Sequence, residues 1–241
     1  MYGLGTLINA VAIIIGGLLG AVFGKLLKER HQTAMTTVCG ISVLFISISG
    51  ALEGMLQIQD GKITSSGGLL CVICLALGAV VGELLNIEGG FEKFGEWLKR
   101  KTGNSNDKNF VEGFVSASFT VCIGAMAIVG AIEDALRGDI SILATKSILD
   151  LIIVIVMTAS LGKGCAFSAI PVVLLQGSVT ALSVFIEPLL NEAALTNLSM
   201  VGNILIFCVG VNLVWGKKVR VANLLPALIF AVAAAYIPLF N

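Results

Sequence analysis

Asp150 is the residue whose type and position offer the most chemistry. It stands in SILDLIIVIV, ten residues into an apolar run at 140–161. A carboxyl group at the centre of a bilayer costs roughly 2.5–3.5 kcal/mol on insertion scales. Burial favours the neutral form of an acid, which suits proton or cation coupling. Lys146, four residues earlier, is a surface partner if the helix begins near Ser147 and Asp150 lies at the outer interface. Residues 151–161 alone are too short to span, so either Asp150 lies deep or the helix is short and breaks at Gly162-Lys163-Gly164. Short or glycine-interrupted membrane segments point to transporter sites.

Gln176 and Ser178 follow Pro171 in a second apolar run. A proline kinks a helix and frees the carbonyl four residues earlier. Amide, hydroxyl and backbone oxygen would together suit a solute or ion. Asn203, next to Gly202, offers the same chemistry from a third run. The structural alternative for each is hydrogen bonding between helices. Asn9, Ser47, Ser49, Ser116, Ser118 and Thr120 are weaker candidates, since membrane hydroxyls mostly bond their own backbone.

Glu53, Glu133 and Glu187 share a place in three related endings, LEGML, IEDAL and IEPLL. Each lies about 20 residues after its run begins, near the outer boundary of the hydrocarbon. The dipole of a helix C-terminus disfavours them there. They would form an outer acidic ring that concentrates cations.

Enzyme signatures are absent: there is no H-E-x-x-H, no nucleophile beside a base and no phosphate loop, so no catalytic residue, metal or cofactor is expected. The six cysteines sit in or beside apolar runs and read as small packing residues, Cys71-x-x-Cys74 included. His31 falls in a basic loop between runs.

The elements that hold these residues are membrane helices. Only 12% of the 241 residues are charged, against roughly 25% in soluble domains. Net charge is zero, which suggests no nucleic-acid partner. Eight apolar runs are expected as spans, at 4–26, 34–56, 66–86, 111–132, 140–161, 165–187, 195–215 and 221–240. The first run lacks a cleavage signal and reads as a retained span. This count places 12 Lys and Arg residues on one side and three, Lys62, Arg137 and Lys146, on the other. By the positive-inside rule the loops after odd-numbered spans are cytoplasmic and both termini face outward.

The chain repeats itself: LGAVFGKLL at 19–27 returns as LGAVVGELL at 77–85. Gly16, Gly20 and Gly24 share one helix face, as do Gly78 and Gly82, and small residues at this spacing let helices approach closely in lipid. The pattern implies a single all-α transmembrane domain over 1–241, built of helical hairpins in parallel repeats at about 1–58, 59–139, 140–190 and 191–241. An amphipathic segment, EGGFEKFGEWLKRK at 88–101, is inserted in the second unit. Its Phe91, Phe94, Trp97 and Leu98 fall at helical spacing, as expected of a helix on the cytoplasmic membrane surface.

Three stretches, GTLINAVAIIIGGLLGAVFGKLL at 5–27, LGAVVGELLNIEGG at 77–90 and IPVVLLQGS at 170–178, resemble the YdfK/YqgA-type bacterial membrane proteins, a plasma-membrane family of unknown function. The resemblance covers nearly the whole chain. It implies a bacterial multi-pass protein and carries over no substrate or active residue.

The sequence thus suggests a transporter of a small solute or ion, with Asp150, Gln176, Ser178 and Asn203 as its polar site and Asp150 the coupling group. The alternatives are a passive channel with the glutamates at its mouth, and a non-transporting scaffold that uses helix 88–101. The glycine faces permit a homo-oligomer and equally serve packing within one chain.

Overall fold

The computed structural model describes residues 3–26, 28–59 and 62–237. They form an all-α bundle with one small hairpin. In chain order the elements are α1 (Leu4–Leu26), α2 (Glu29–Met55), β1 (Leu56–Gln59), β2 (Lys62–Ser65), α3 (Gly68–Leu85), α4 (Ile87–Lys101), α5 (Phe110–Cys122), α6 (Ala125–Arg137) and α7 (Ser141–Leu161). There follow a 3-10 turn (Lys163–Ser168), α8 (Ala169–Ala181), α9 (Ser183–Ile186), a second 3-10 turn (Glu187–Leu189), α10 (Glu192–Trp215), a third (Val221–Leu224) and α11 (Pro226–Ala234).

Six helical segments among the described residues are long and apolar enough to cross a membrane: α1, α2, α3, α7, the first 3-10 turn with α8, and α10. The expected fourth span is not one straight helix. It is the pair α5 and α6, bent by 59° at a break. The expected eighth is a 3-10 turn and the short α11, and residues 238–240 of that span lie outside the described residues. The expected second span is longer than read: α2 begins at Glu29, so His31 sits in its first turn, not in a loop. The loop expected after it holds an antiparallel hairpin with Leu56 opposite Ser65 and Gln59 opposite Lys62.

Helices adjacent in sequence are not the main packing partners. α1 lies parallel to α7, with Gly5 beside Leu143, Gly16 on the Leu151 carbonyl and Gly24 on Ala159. α2 lies antiparallel to α10, with Gly40 against Leu213 and Gly54 against Met200. α3 lies antiparallel to α11 and the turn before it, with Gly78 on Ala227 and Gly82 on Asn223. Both copies of the repeated nonapeptide therefore spend their glycines on close helix contact. In hydrocarbon, helix association rests on such packing, because lipid tails are as apolar as side chains.

α4 joins the bundle at the basic end. Leu98 is buried with Phe110 and Phe114, and Phe91 meets Phe119 at a tilt, while Phe94 and Trp97 stack on each other and are partly exposed. Its start is tied to the third 3-10 turn by reciprocal caps: the Glu88 amide donates to Asn223 Oδ1 at 2.8 Å, and the Ala222 amide donates to Glu88 Oε2 at 3.1 Å. Lys217 closes this lock on Glu88 at 2.8 Å and on Glu92. Partial burial pulls the Lys217 ammonium down, but the two glutamates outweigh it and its pKa stands above the usual lysine value.

Candidate functional site

The break between α5 and α6 is where the polar chemistry gathers. α5 ends at Cys122, and Gly124 takes φ 146° and ψ 149°, a conformation open essentially to glycine alone. A break in mid-helix leaves carbonyls without partners at the end of α5. One of them, on Val121, accepts a hydrogen bond of 2.7 Å from the Lys146 ammonium of α7. The same ammonium meets both oxygens of Asp150, at 2.9 and 2.7 Å. Both side chains are more than nine-tenths buried. The negative end of the half-helix dipole and the carboxylate thus hold the lysine from two sides.

Lys146, which the sequence put at the surface, goes inside the bundle with Asp150. An ion pair among apolar helices is tolerated where a freed backbone group and the partner satisfy the ammonium together.

A layered arrangement surrounds the pair. Ile13 of α1, Val121 of α5, Val154 of α7 and Val172 of α8 form one buried apolar cluster. Asn9, Asp150 and Gln176 each lie four residues from a member of that cluster, and so one turn away on the same face. α1 and α7 run parallel. α8 runs against them, since Gly17 meets Ala166 while Gly3 meets Thr180. All three residues therefore fall on the same side of the apolar layer, towards the end that carries Arg137. Asn9 adjoins the Asp150 carboxylate. Both carboxamides, of Asn9 and Gln176, are buried; that of Asn9 faces the Asp150 carboxylate, and that of Gln176 makes no hydrogen bond in the structure.

A further turn outward, the hydroxyls of Thr6 and Thr180 and one oxygen of Asp134 are also buried without hydrogen bonds. The other Asp134 oxygen accepts the Gly5 amide at 2.8 Å and caps the start of α1 from a different helix. On the opposite side of the apolar layer, Thr158 and Ser168 carry unpartnered hydroxyls. Thr158 also lines a vestibule of about 290 Å³ that Lys25, Asp107, Asn109 and Lys163 border. Buried polar groups thus lie on both sides of one apolar cluster.

The structure brings together only part of the expected site. Asp150 and Gln176 share the polar layer. Ser178 points away: it is exposed, and its hydroxyl donates to its own helix at the Leu175 carbonyl, 2.7 Å away. Asn203 is on another interface, where its carboxamide packs on Gly50 of α2 and donates to the Ser199 carbonyl at 2.8 Å. The three glutamates do not form an acidic ring. Arg137 stands between Glu133 and Glu187, 3.3 Å from the latter, and Glu53 is exposed at the end of α2. An arginine one helical turn beyond Glu133 thus pairs with two of the three acids.

Four contributors escaped the sequence reading: Lys146 as an interior partner, Asn9 as a principal residue, Asp134 as a cap, and the Val121 carbonyl. The i,i+4 spacing of Lys146 and Asp150 was the available signal for the first. Nothing in the residues around Gly124 marks the break.

Gly124→Ala tests the break. No atom lies within 4 Å of the added methyl, so the change acts through the backbone alone. We expect a loss of about 1–3 kcal/mol in stability, the range for a residue forced into such a conformation, measured by unfolding in mixed micelles. An unchanged or raised midpoint would mean that the helix runs through Gly124 unbroken.

The family model described as "Protein of unknown function (DUF554)" matches residues 4–236. An "Uncharacterized membrane protein YdfK" of Bacillus subtilis (strain 168) is 32% identical over 225 residues, covering 93% of this chain and 92% of its own. An "Uncharacterized protein YqgA" of Escherichia coli (strain K12) is 28% identical over 232 residues, covering 95% and 94%. No solved structure matches. With helices long and apolar enough to cross a membrane and a family match over nearly its whole length, the chain is a membrane protein that belongs to the DUF554 family.

Proposed function

We propose that the protein moves a small polar solute across the bacterial plasma membrane, with Asn9, Lys146, Asp150 and Gln176 as its binding site. One observation carries the reading: the carboxamide of Gln176 is buried in the layer of an interior ion pair at a helix break, with Asn9 beside the pair, and bonds to nothing in the structure. A buried amide without partners costs about 1–3 kcal/mol. A purely structural polar cluster satisfies its own groups, whereas a binding site holds donors and acceptors for a guest. Asp150 is the group through which a proton or cation couples, and Lys146 is the internal cation that replaces it when the site is closed.

In this reading the chain crosses eight times as repeated hairpins, α5 and α6 making one broken crossing. Both termini are extracytoplasmic, and the basic vestibule faces the cytoplasm. A channel with an acidic mouth has less support, because Arg137 occupies that mouth. The scaffold reading rests on the exposed Phe94–Trp97 stack alone.

Gln176→Leu separates a binding site from a packing cluster. It removes an unsatisfied amide at similar volume. We expect the unliganded variant to be as stable as the wild type or more so, by about 1 kcal/mol. The thermal stabilisation that the wild type gains in a screen of ions, amino acids, nucleobases and organic acids should disappear. A variant that loses stability and keeps every ligand response would sink the reading.

A further inference from the structure

Beside the break lies a largely apolar cavity of about 150 Å³. Cys122, Gly124, Ile128, Leu175, Leu198 and Leu228 are among the residues that line it. Its one hydroxyl, on Ser118, is already spent on the Phe114 carbonyl at 2.6 Å. An apolar cavity of roughly this volume can remain dry and accept a benzene-sized body.

Consecutive residues of two helices border the cavity and the polar layer. The Val121 carbonyl holds the Lys146 ammonium, and the next residue, Cys122, lines the cavity. Leu175 lines the cavity, and the next residue, Gln176, is in the polar layer. Gly124, whose conformation makes the break, borders the cavity as well. A solute that parts Lys146 from Asp150 at this break therefore has an apolar chamber within one side chain's reach.

The charges of the pair sum to zero. A guest of net charge would leave an uncompensated charge among apolar helices, where it is strongly disfavoured. A dipolar head instead exchanges one neutral pair for two, its carboxylate on Lys146 and its ammonium on Asp150. Asn9 and Gln176, each with donors and an acceptor, suit either half of such a head. We infer that the solute is an α-amino acid with an apolar side chain, its dipolar head in the layer of Asn9, Lys146, Asp150 and Gln176 and its side chain, of isobutyl or phenyl size, in the cavity beside Gly124. This rests on the site proposed above and adds the substrate class.

The test is a binding series on the purified full chain in lipid nanodiscs, followed by calorimetry. The probes are glycine, alanine, valine, leucine and phenylalanine, with 4-methylpentanoate and isoamylamine as leucine-sized bodies that carry a single charge. Affinity should rise roughly fourfold for each buried methylene, so leucine should bind at least thirtyfold tighter than alanine. Both singly charged probes should bind at least tenfold more weakly than leucine. Ile128→Trp, which fills the cavity, should cost leucine at least tenfold and alanine less than twofold. The wild-type series needs no variant to fold.

A flat series from glycine to leucine would overturn the cavity assignment and leave the polar site standing. Equal binding of 4-methylpentanoate or isoamylamine would overturn the dipolar head. If no amino acid binds while another solute still stabilises the protein in a Gln176-dependent way, this inference fails and the site survives. The absence of any Gln176-dependent ligand would remove both.

Discussion

Replacing Asp150 by leucine should lower unfolding stability by about 3–5 kcal/mol, the usual cost of breaking a buried ion pair by removal of one partner. Lys146→Met should cost a similar amount. The double variant, Lys146→Met with Asp150→Leu, should recover most of the loss. The physical reason is the asymmetry of buried charge. In the wild type, the ammonium has Asp150 and the Val121 carbonyl within 2.9 Å. Without Asp150 it retains one carbonyl and a full charge in an apolar interior. Without either charge, the bundle keeps an apolar pair of similar size and leaves only the Val121 carbonyl unpaired. The two single losses should therefore be far from additive, and the coupling energy should approach the sum of the two single-variant penalties.

Asp150→Asn should fall between wild type and leucine, because an amide can still accept from the lysine but cannot balance its charge. A double-mutant cycle by denaturant unfolding in mixed micelles measures all of this. Single losses below about 1 kcal/mol would mean that the pair is solvated, and a double variant as poor as the sum would mean that each residue has its own separate partners. If the pair belongs to the binding site proposed above, the recovered double variant should be folded and unable to transport.

Much of this was legible in the sequence, and the rest was not, for physical reasons. Apolar length and sparse charge show where the long helices lie, because a bilayer imposes those constraints on each segment by itself. Partner choice is different. The repeated nonapeptide announces a packing face in α1 and α3, yet nothing in it says that α1 takes α7 alongside while α3 takes α11 in the opposite direction. Asp150 and Gln176 stood out because a charge or an amide is conspicuous in hydrocarbon. Asn203 stood out for the same reason, and its residue type could not reveal that its helix turns it towards Gly50. Ser178 is two positions from Gln176 and so about 200° around the helix, which is why one is buried and the other exposed. The break at Gly124 is a tertiary feature: the Val121 carbonyl it frees is satisfied by a lysine 25 residues away.

The same limit gives the second large prediction, since glycines that look alike in sequence should differ sharply on substitution. A methyl group on Gly82 would lie 1.8 Å from the Asn223 carbonyl oxygen, and one on Gly20 would lie 2.5 Å from that of Ile155. Neither obstacle is a side chain that can rotate away, so the helices must move apart. Overpacking of this kind costs typically 1–3 kcal/mol, and it outweighs the gain of up to about 1 kcal/mol that alanine brings to a helix interior. Gly82→Ala should be the worse of the two. Asn223 also accepts the Glu88 amide, and the neighbouring Ala222 amide is held by Glu88, so displacing this turn loosens the start of α4 as well. Gly177 is equally helical and equally deep in an apolar run, but nothing lies within 4 Å of the methyl it would gain. Gly177→Ala should be neutral, or stabilising by up to about 1 kcal/mol. Thermal unfolding of the three variants in one micelle system checks the order. Faster proteolysis within 102–109, the linker after α4, should accompany Gly82→Ala and not Gly20→Ala. Equal behaviour of all three would mean that the glycines serve only helix flexibility, and that α3 does not rest on the turn at Asn223.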